Sequence, residues 1–189
     1  MNAEFVVSAA RPEQFPAESL PEIAFLGRSN VGKSSLLNCL TGQNKLAFTS
    51  AKPGCTQLVN FYRVGGQFHF VDLPGYGFAR VPKKVAFHWK QLIEQYLLQR
   101  RSLELCFLIL DARRGWMAQD LELKEWLEFH NRRYLVIATK HDKLKNQKER
   151  RQAAEIQTPE AAALPFSAVE CRGVREIWQA ISRIKTQQQ

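Results

Sequence analysis

No apolar run in this 189-residue chain approaches the roughly 20 residues a helix needs to cross a bilayer. The longest, Leu105 to Leu110 and Tyr134 to Ala138, fit buried strands. Cysteine is scarce and scattered: Cys39, Cys55, Cys106 and Cys171 form no CxxC pair. That spacing suits neither a zinc site nor a small disulfide framework, so all four are expected to be reduced thiols. Internal repeats, low-complexity linkers and composition breaks are missing too, and one domain over residues 1–189 is expected. The opening "MNAEFVVSAARPEQFPAESL" carries Glu4, Glu13 and Glu18 and no apolar core behind a basic start. It does not read as a secretory signal, and a cytoplasmic protein is expected. Acidic residues are in deficit, 18 against 27 Lys and Arg, for a formal charge of +9. Such an excess favours polyanionic partners, nucleic acid or a ribonucleoprotein, because each phosphate contact releases condensed counterions; solubility alone is the alternative.

What is present suffices for a core: 45% of residues are hydrophobic, with 12 Phe and 4 Trp. "EIAFLG" (22–27) predicts a buried strand and "SSLLNCLTG" (34–42) a helix closed by Gly42. "LVNFYRV" and "QFHFVDL", separated by Gly65 and Gly66, predict a hairpin. "LELCFLILDA" and "YLVIATK" are near-continuous apolar runs, typical of strands covered on both faces, with helical spacing in "AFHWKQLIEQYLLQR" and "DLELKEWLEFHNR" between them. "ALPFSA" and "GVREIWQAISRIK" supply a last strand and helix. The alternation predicts an α/β fold, a mostly parallel sheet with helices on both faces. Residues 1–20 read as an N-terminal arm or an extra edge strand.

Between the first predicted strand and helix lies "GRSNVGKSS": Gly27, Arg28, Ser29, Asn30, Val31, Gly32, Lys33, Ser34 and Ser35. Glycines let several N–H groups converge on an anion while the helix presents its positive end. Lys33 would reach the β and γ phosphates, and the Ser34 hydroxyl would ligate Mg²⁺. "DLPG" (72–75) ends another predicted strand, so Asp72 can stand beside the metal through a water and the Gly75 N–H can approach the γ phosphate. In "TKHDK" (139–143), Asp142 can accept paired hydrogen bonds from the N1–H and 2-amino group of guanine, a donor pair that adenine lacks. The Lys140 stem would lie over the base and Thr139 would tie this loop to the phosphate loop. In "FSA" (166–168), Ser167 and Ala168 would close the base pocket, with the Ala168 N–H on the guanine carbonyl. The irregular "TSAKPGCTQL" (49–58) reads as a switch loop, in which Gly54 joins the nucleotide set and Thr56, or else Thr49, supplies a second hydroxyl to Mg²⁺.

The ordered set "GRSNVGKSSLLN", "KPGCTQLVNFY", "DLPGYGFA", "TKHDK" and "FSA" resembles the bacterial EngB family of ribosome-biogenesis GTP-binding proteins, among the Era-like GTPases. The likeness runs from about Glu22 to the C-terminal helix, and "KPGCTQ" and "DLPGYGFA" are its most specific parts. It implies a Ras-like fold with a six-stranded, mostly parallel sheet containing one antiparallel strand. It also implies GTP and GDP binding with Mg²⁺, and a role in assembling the large ribosomal subunit from precursor rRNA and ribosomal proteins. GTPases of this kind ordinarily act as monomers without a membrane. A P-loop kinase or ATPase is disfavoured by Asp142 and by the lack of a lid segment.

One expected residue is missing. Many related switch proteins carry a water-orienting glutamine just after the DxxG glycine, where this chain has Tyr76. A phenol cannot present a carboxamide's donor and acceptor together, so slow intrinsic hydrolysis is expected, with Lys33, Thr56, Gly75 and Asn30 as the catalytic set. In similar Era-like GTPases an asparagine at the position of Asn30 helps hold K⁺; a loop-stabilising side chain is the alternative. "RVPKK" (80–84), beside the DxxG loop, would make RNA affinity follow nucleotide state, whereas "KLKNQKERR" (143–151) reads as a solvated helix start.

Overall fold

The computed structural model describes residues 2–43, 46–47, 58–76, 83–157 and 163–186. Its strands are β1 (Ala3–Ala9), β2 (Glu22–Gly27), β3 (Val59–Val64), β4 (Phe68–Asp72), β5 (Leu103–Asp111), β6 (Tyr134–Thr139) and β7 (Leu164–Pro165). The helices are α1 (Lys33–Thr41), α2 (Lys83–Gln99), α3 (Ala118–Phe129), α4 (Gln147–Ala154) and α5 (Val174–Thr186). One seven-stranded sheet forms in the order β1-β3-β4-β2-β5-β6-β7. Strand β3 runs against both of its neighbours, β1 and β4, and every other pairing is parallel. The seventh strand beyond the six of the implied fold is β1, taken from the N-terminal segment and laid along the edge of β3.

Period-2 alternation within apolar strands divides the core in two. Ile23, Phe25, Phe70, Phe107, Ile109 and Ile137 face one side, where they meet Leu36, Leu37 and Leu40 of α1 and Ile177, Ile181 and Ile184 of α5. Ala24, Leu26, Val71, Cys106, Leu108, Leu110 and Val136 face the other, against Leu92, Tyr96 and Leu97 of α2 and Leu127 of α3. Each fully buried large side chain contributes about 1.5–3 kcal/mol of transfer free energy. The sheet is thereby a rigid base for whatever its strand ends carry.

At one end of the sheet, Glu22 is completely buried and accepts from Tyr96 Oη (2.9 Å), Arg100 Nε (3.1 Å) and Arg100 Nη2. This anchors the start of β2 to the end of α2. The opposite, C-terminal ends of the parallel strands are Gly27, Asp72, Asp111, Thr139 and Pro165. In parallel α/β sheets that edge is where ligands bind, and the polar motifs of the sequence all leave the sheet there.

Candidate functional site

The turn from β2 into α1 is made by residues 28–32, with Asn30 at φ 62° and Gly32 at φ 105°. At Gly32 a side chain would be strained, and a Cβ would lie 3.5 Å from the Thr139 hydroxyl. Gly32 is also the N-cap of α1 and offers no capping side chain. The first-turn N–H groups, those of Ser34 and Ser35 among them, have no capping side chain and lie at the helix's positive end, where an anion can be held. Lys33 is buried; its ammonium donates to Asp72 Oδ1 and to the Leu73 carbonyl at 2.7 Å. The cation and carboxylate that the sequence assigned to phosphate and metal therefore neutralise one another.

The DxxG loop packs directly on this turn. Ser29 N–H donates to the Tyr76 carbonyl at 3.2 Å. A Cβ on Gly75 would come within 2.9 Å of Ser29 Oγ and 3.2 Å of its nitrogen, so a side chain there would push against the phosphate turn. The Tyr76 side chain donates to Asp120 Oδ1 at 2.8 Å, with Arg28 of the phosphate turn close to both groups. Burial, with Asp120 beside it, drives the phenol far above its ordinary range, so it stays neutral. Asp120, itself raised by burial, also accepts from the Met117 N–H at 3.1 Å. Tyr76 is thus a tether from the DxxG loop to the start of α3.

The end that carries Asp142 and Ser167 is assembled by β6 and β7. The Thr139 hydroxyl reaches the carbonyls of Val31 and, at 2.9 Å, Leu110, which ties this loop to the phosphate loop as the sequence suggested. Lys140, in a left-handed conformation at φ 58°, sends its ammonium to the Asn30 carbonyl and to Asp111 Oδ2 at 2.9 Å. Its stem therefore spans the two loops. Asp142 sits exposed in a short turn held by His141 N–H to the Phe166 carbonyl at 3.2 Å. Ser167 exchanges backbone hydrogen bonds with Arg172 at 3.1 and 3.0 Å, and the hairpin so formed carries Ala168. A cavity of about 190 Å³ opens among His141, Asp142, Phe166, Ser167 and Arg172.

Two features here escaped sequence reasoning. Asp111, at the end of β5, accepts from Arg113 Nε (2.9 Å) and Nη2 (2.7 Å) as well as from Lys140. Burial raises its carboxyl, but the Arg113 and Lys140 hydrogen bonds outweigh that and hold it at about 2. An acid ending an apolar strand was the available signal. The second concerns the thiols: Cys39 and Cys171 form a disulfide across 132 residues, contrary to the expectation of four reduced cysteines. Spacing along the chain could not reveal it, because the fold brings α1 beside the loop after β7. Thr49, Gly54, Thr56 and Arg80 lie outside the described residues.

The donor set fits a nucleoside phosphate. Among the described residues, Arg28 Nε and Ser167 Oγ, at the two ends of the site, are buried without a hydrogen-bond partner, as are the His69 ring nitrogens and Ser102 Oγ at the far end of the sheet; the two at the site are available to a ligand or to water. Ser34 and Asp72 offer hard oxygens suited to Mg²⁺, which commonly takes few protein ligands alongside substrate phosphates. Accordingly, no group of three His, Cys, Asp or Glu side chains fit for a metal occurs among the described residues.

These features define a P-loop GTPase, and the comparisons with known proteins agree. Residues 22–140 match the family model described as a 50S ribosome-binding GTPase. The probable GTP-binding protein EngB of Solibacter usitatus is 60% identical over 96% of this chain and 95% of its own. A crystal structure of a probable GTP-binding protein EngB superposes with a TM-score of 0.69 at 27% identity, covering 86% of this chain and 97% of that one. Era in complex with MgGDPNP and a piece of 16S ribosomal RNA gives 0.66 at 25% identity over 88% of this chain and 56% of that one. The chain belongs to the EngB family of GTP-binding proteins. Among the described residues no helix is long and apolar enough to cross a membrane.

Proposed function

We propose that this GTPase is a slow, nucleotide-gated factor in assembly of the large ribosomal subunit, acting in the cytoplasm as a monomer. The observation that carries the reading is the meeting of the phosphate turn, the DxxG loop and the Asp142 and Ser167 loops along one edge of the sheet. In this reading Asp142 selects guanine, and Ser167 and Ala168 border the base. Lys33 exchanges Asp72 for the β and γ phosphates, and Gly75 offers its N–H to the γ phosphate. Ser34 and Asp72, with Thr56, would hold Mg²⁺, which supplies charge neutralisation at those phosphates. Slow turnover follows from Tyr76, whose hydroxyl is engaged by Asp120 instead of water.

A basic surface whose order depends on γ phosphate couples RNA affinity to nucleotide state. Lys83 and Lys84 open α2 just beyond the DxxG loop. Reversing both charges should weaken binding to large-subunit precursors at least several-fold more with a non-hydrolysable GTP analogue than with GDP, read by co-sedimentation. An equal loss in both states would end the gating idea. Precursors should also raise GTP turnover; binding without stimulation would favour a docking placeholder whose hydrolysis is incidental.

Asn30 is the proposed K⁺ ligand. Its side chain is exposed, while its carbonyl is already taken by Lys140. Turnover should be higher in K⁺ than in Na⁺ buffer, with the difference lost in Asn30→Ala. Identical rates in the two salts would remove the ion from the mechanism.

A further inference from the structure

The Cys39–Cys171 pair lies beside the base-binding hairpin and is used by nothing above. Its Cα atoms are 5.6 Å apart, in the centre of the range that a disulfide spans. The Ala168 carbonyl oxygen lies 3.8 Å from the Cys39 sulfur and 4.0 Å from that of Cys171. Cys171 is exposed, with its backbone left-handed at φ 45°, and Cys39 is half-buried on α1. Cys106 offers no rival chemistry, being fully buried with its thiol pushed up to about 12 by burial. Helix α1 begins at Lys33 in the phosphate turn and is fastened to α5 by Trp178 Nε1 on the Leu40 carbonyl at 3.1 Å. The hairpin tip is not so fastened: Ala168 and Glu170 are exposed, and Val169 is 77% exposed. Among the described residues, apart from the Ser167–Arg172 bridge at its base, the disulfide is the tip's tie to the body of the protein.

We propose that Cys39 and Cys171 are a reversible thiol–disulfide site that sets how firmly the base-binding hairpin is held, and hence how long a guanine nucleotide stays bound. The proposal rests on the reading of Ser167 and Ala168 as the border of the base pocket. The oxidant is a low-molecular-weight disulfide of the glutathione class. The Cys171 thiolate, the exposed one, attacks a sulfur of that disulfide, forming a mixed disulfide and expelling one thiolate. The Cys39 thiolate then attacks the Cys171 sulfur, closing the protein bond and expelling the second thiolate. Two electrons pass from the cysteine sulfurs to the small disulfide, and the two protons end on the two thiols released. A closed bond fixes Ala168 relative to α1 before the base arrives, so less ordering remains to be done on binding.

The full chain is equilibrated with glutathione at oxidising and reducing poise, its linkages are mapped by tryptic digestion and mass spectrometry, and release of a fluorescent GDP analogue is timed. The expected result is a Cys39–Cys171 linked peptide, with release about tenfold slower in the oxidised wild type than in the reduced protein, Cys39→Ser or Cys171→Ser. The oxidised form should also melt higher, by up to about 20 °C, because the bond closes a long loop. Failure of the linked peptide to form, or equal release from oxidised and reduced protein, overturns the proposal while leaving a guanine site in place. GDP binding in none of the forms overturns the reading of the base pocket, and the proposal with it.

Discussion

Asp142→Asn is expected to lower affinity for GDP by about 100- to 10,000-fold while creating affinity for xanthosine diphosphate. Two hydrogen bonds to an ionised acceptor, each contributing about 1.5–3 kcal/mol, correspond to that range at about 1.4 kcal/mol per decade. Asn keeps the shape but exchanges one acceptor for a donor, which then faces the 2-amino group of guanine. Xanthine has an oxygen there and restores the match. The turn carrying Asp142 is rigid for its size: Lys140 and Phe166 carbonyls accept from Lys143 (2.9 Å) and His141 (3.2 Å) N–H groups. The Asp142 carboxylate accepts no hydrogen bond from the described residues, so the substitution breaks none of them and removes only its electrostatic attraction to Arg113. Calorimetry with Mg²⁺ and GDP, ADP and xanthosine diphosphate reads the effect directly. Unchanged GDP affinity would withdraw Asp142 as selector, and tight ADP binding by the wild type would withdraw guanine specificity altogether.

The parts legible in the sequence were those whose chemistry is packed into a few consecutive residues. The phosphate turn had to be glycine-rich, begin at a strand and open a helix, and Gly27, Gly32 and Lys33 satisfied all three within seven positions. The parallel core was legible because β5 and β6 are apolar on both faces, and the β3–β4 hairpin because Gly65 and Gly66 interrupt the alternation. Long-range pairings left no such trace. Tyr76 and Asp120 meet across 44 residues, and Asp111 and Lys140 across 29. In each case the sequence supplied one member, Tyr76 as a missing glutamine and Lys140 as a base-stacking stem. The partner needed the register of the sheet, which sets Asp111 beside Thr139. The disulfide belongs with these, since scatter along the chain says nothing of distance across it.

The register also gives Lys33 two roles that one substitution would confuse. Lys33→Ala should weaken GTP binding by at least about 100-fold, the loss of charge-assisted contacts to the β and γ phosphates at about 1.5–3 kcal/mol each. In the empty site it should also destabilise the fold. The Asp72 side chain is only 4% exposed and gives up its salt-bridge partner, and a buried charge left alone costs about 3–5 kcal/mol. For a chain of this size that corresponds to a fall in Tm of roughly 6–20 °C. The two effects separate on adding Asp72→Asn, which removes the orphaned charge at nearly constant volume. The double variant should recover most of the thermal stability and none of the nucleotide affinity, measured well below either Tm. If it recovered binding as well, the weakness of Lys33→Ala would have come from misfolding around Asp72 and not from a lost phosphate contact. If Lys33→Ala alone bound GTP like the wild type, the Lys33–Asp72 pair would be a structural strut, and the anion seat would rest on the N–H groups of α1 alone.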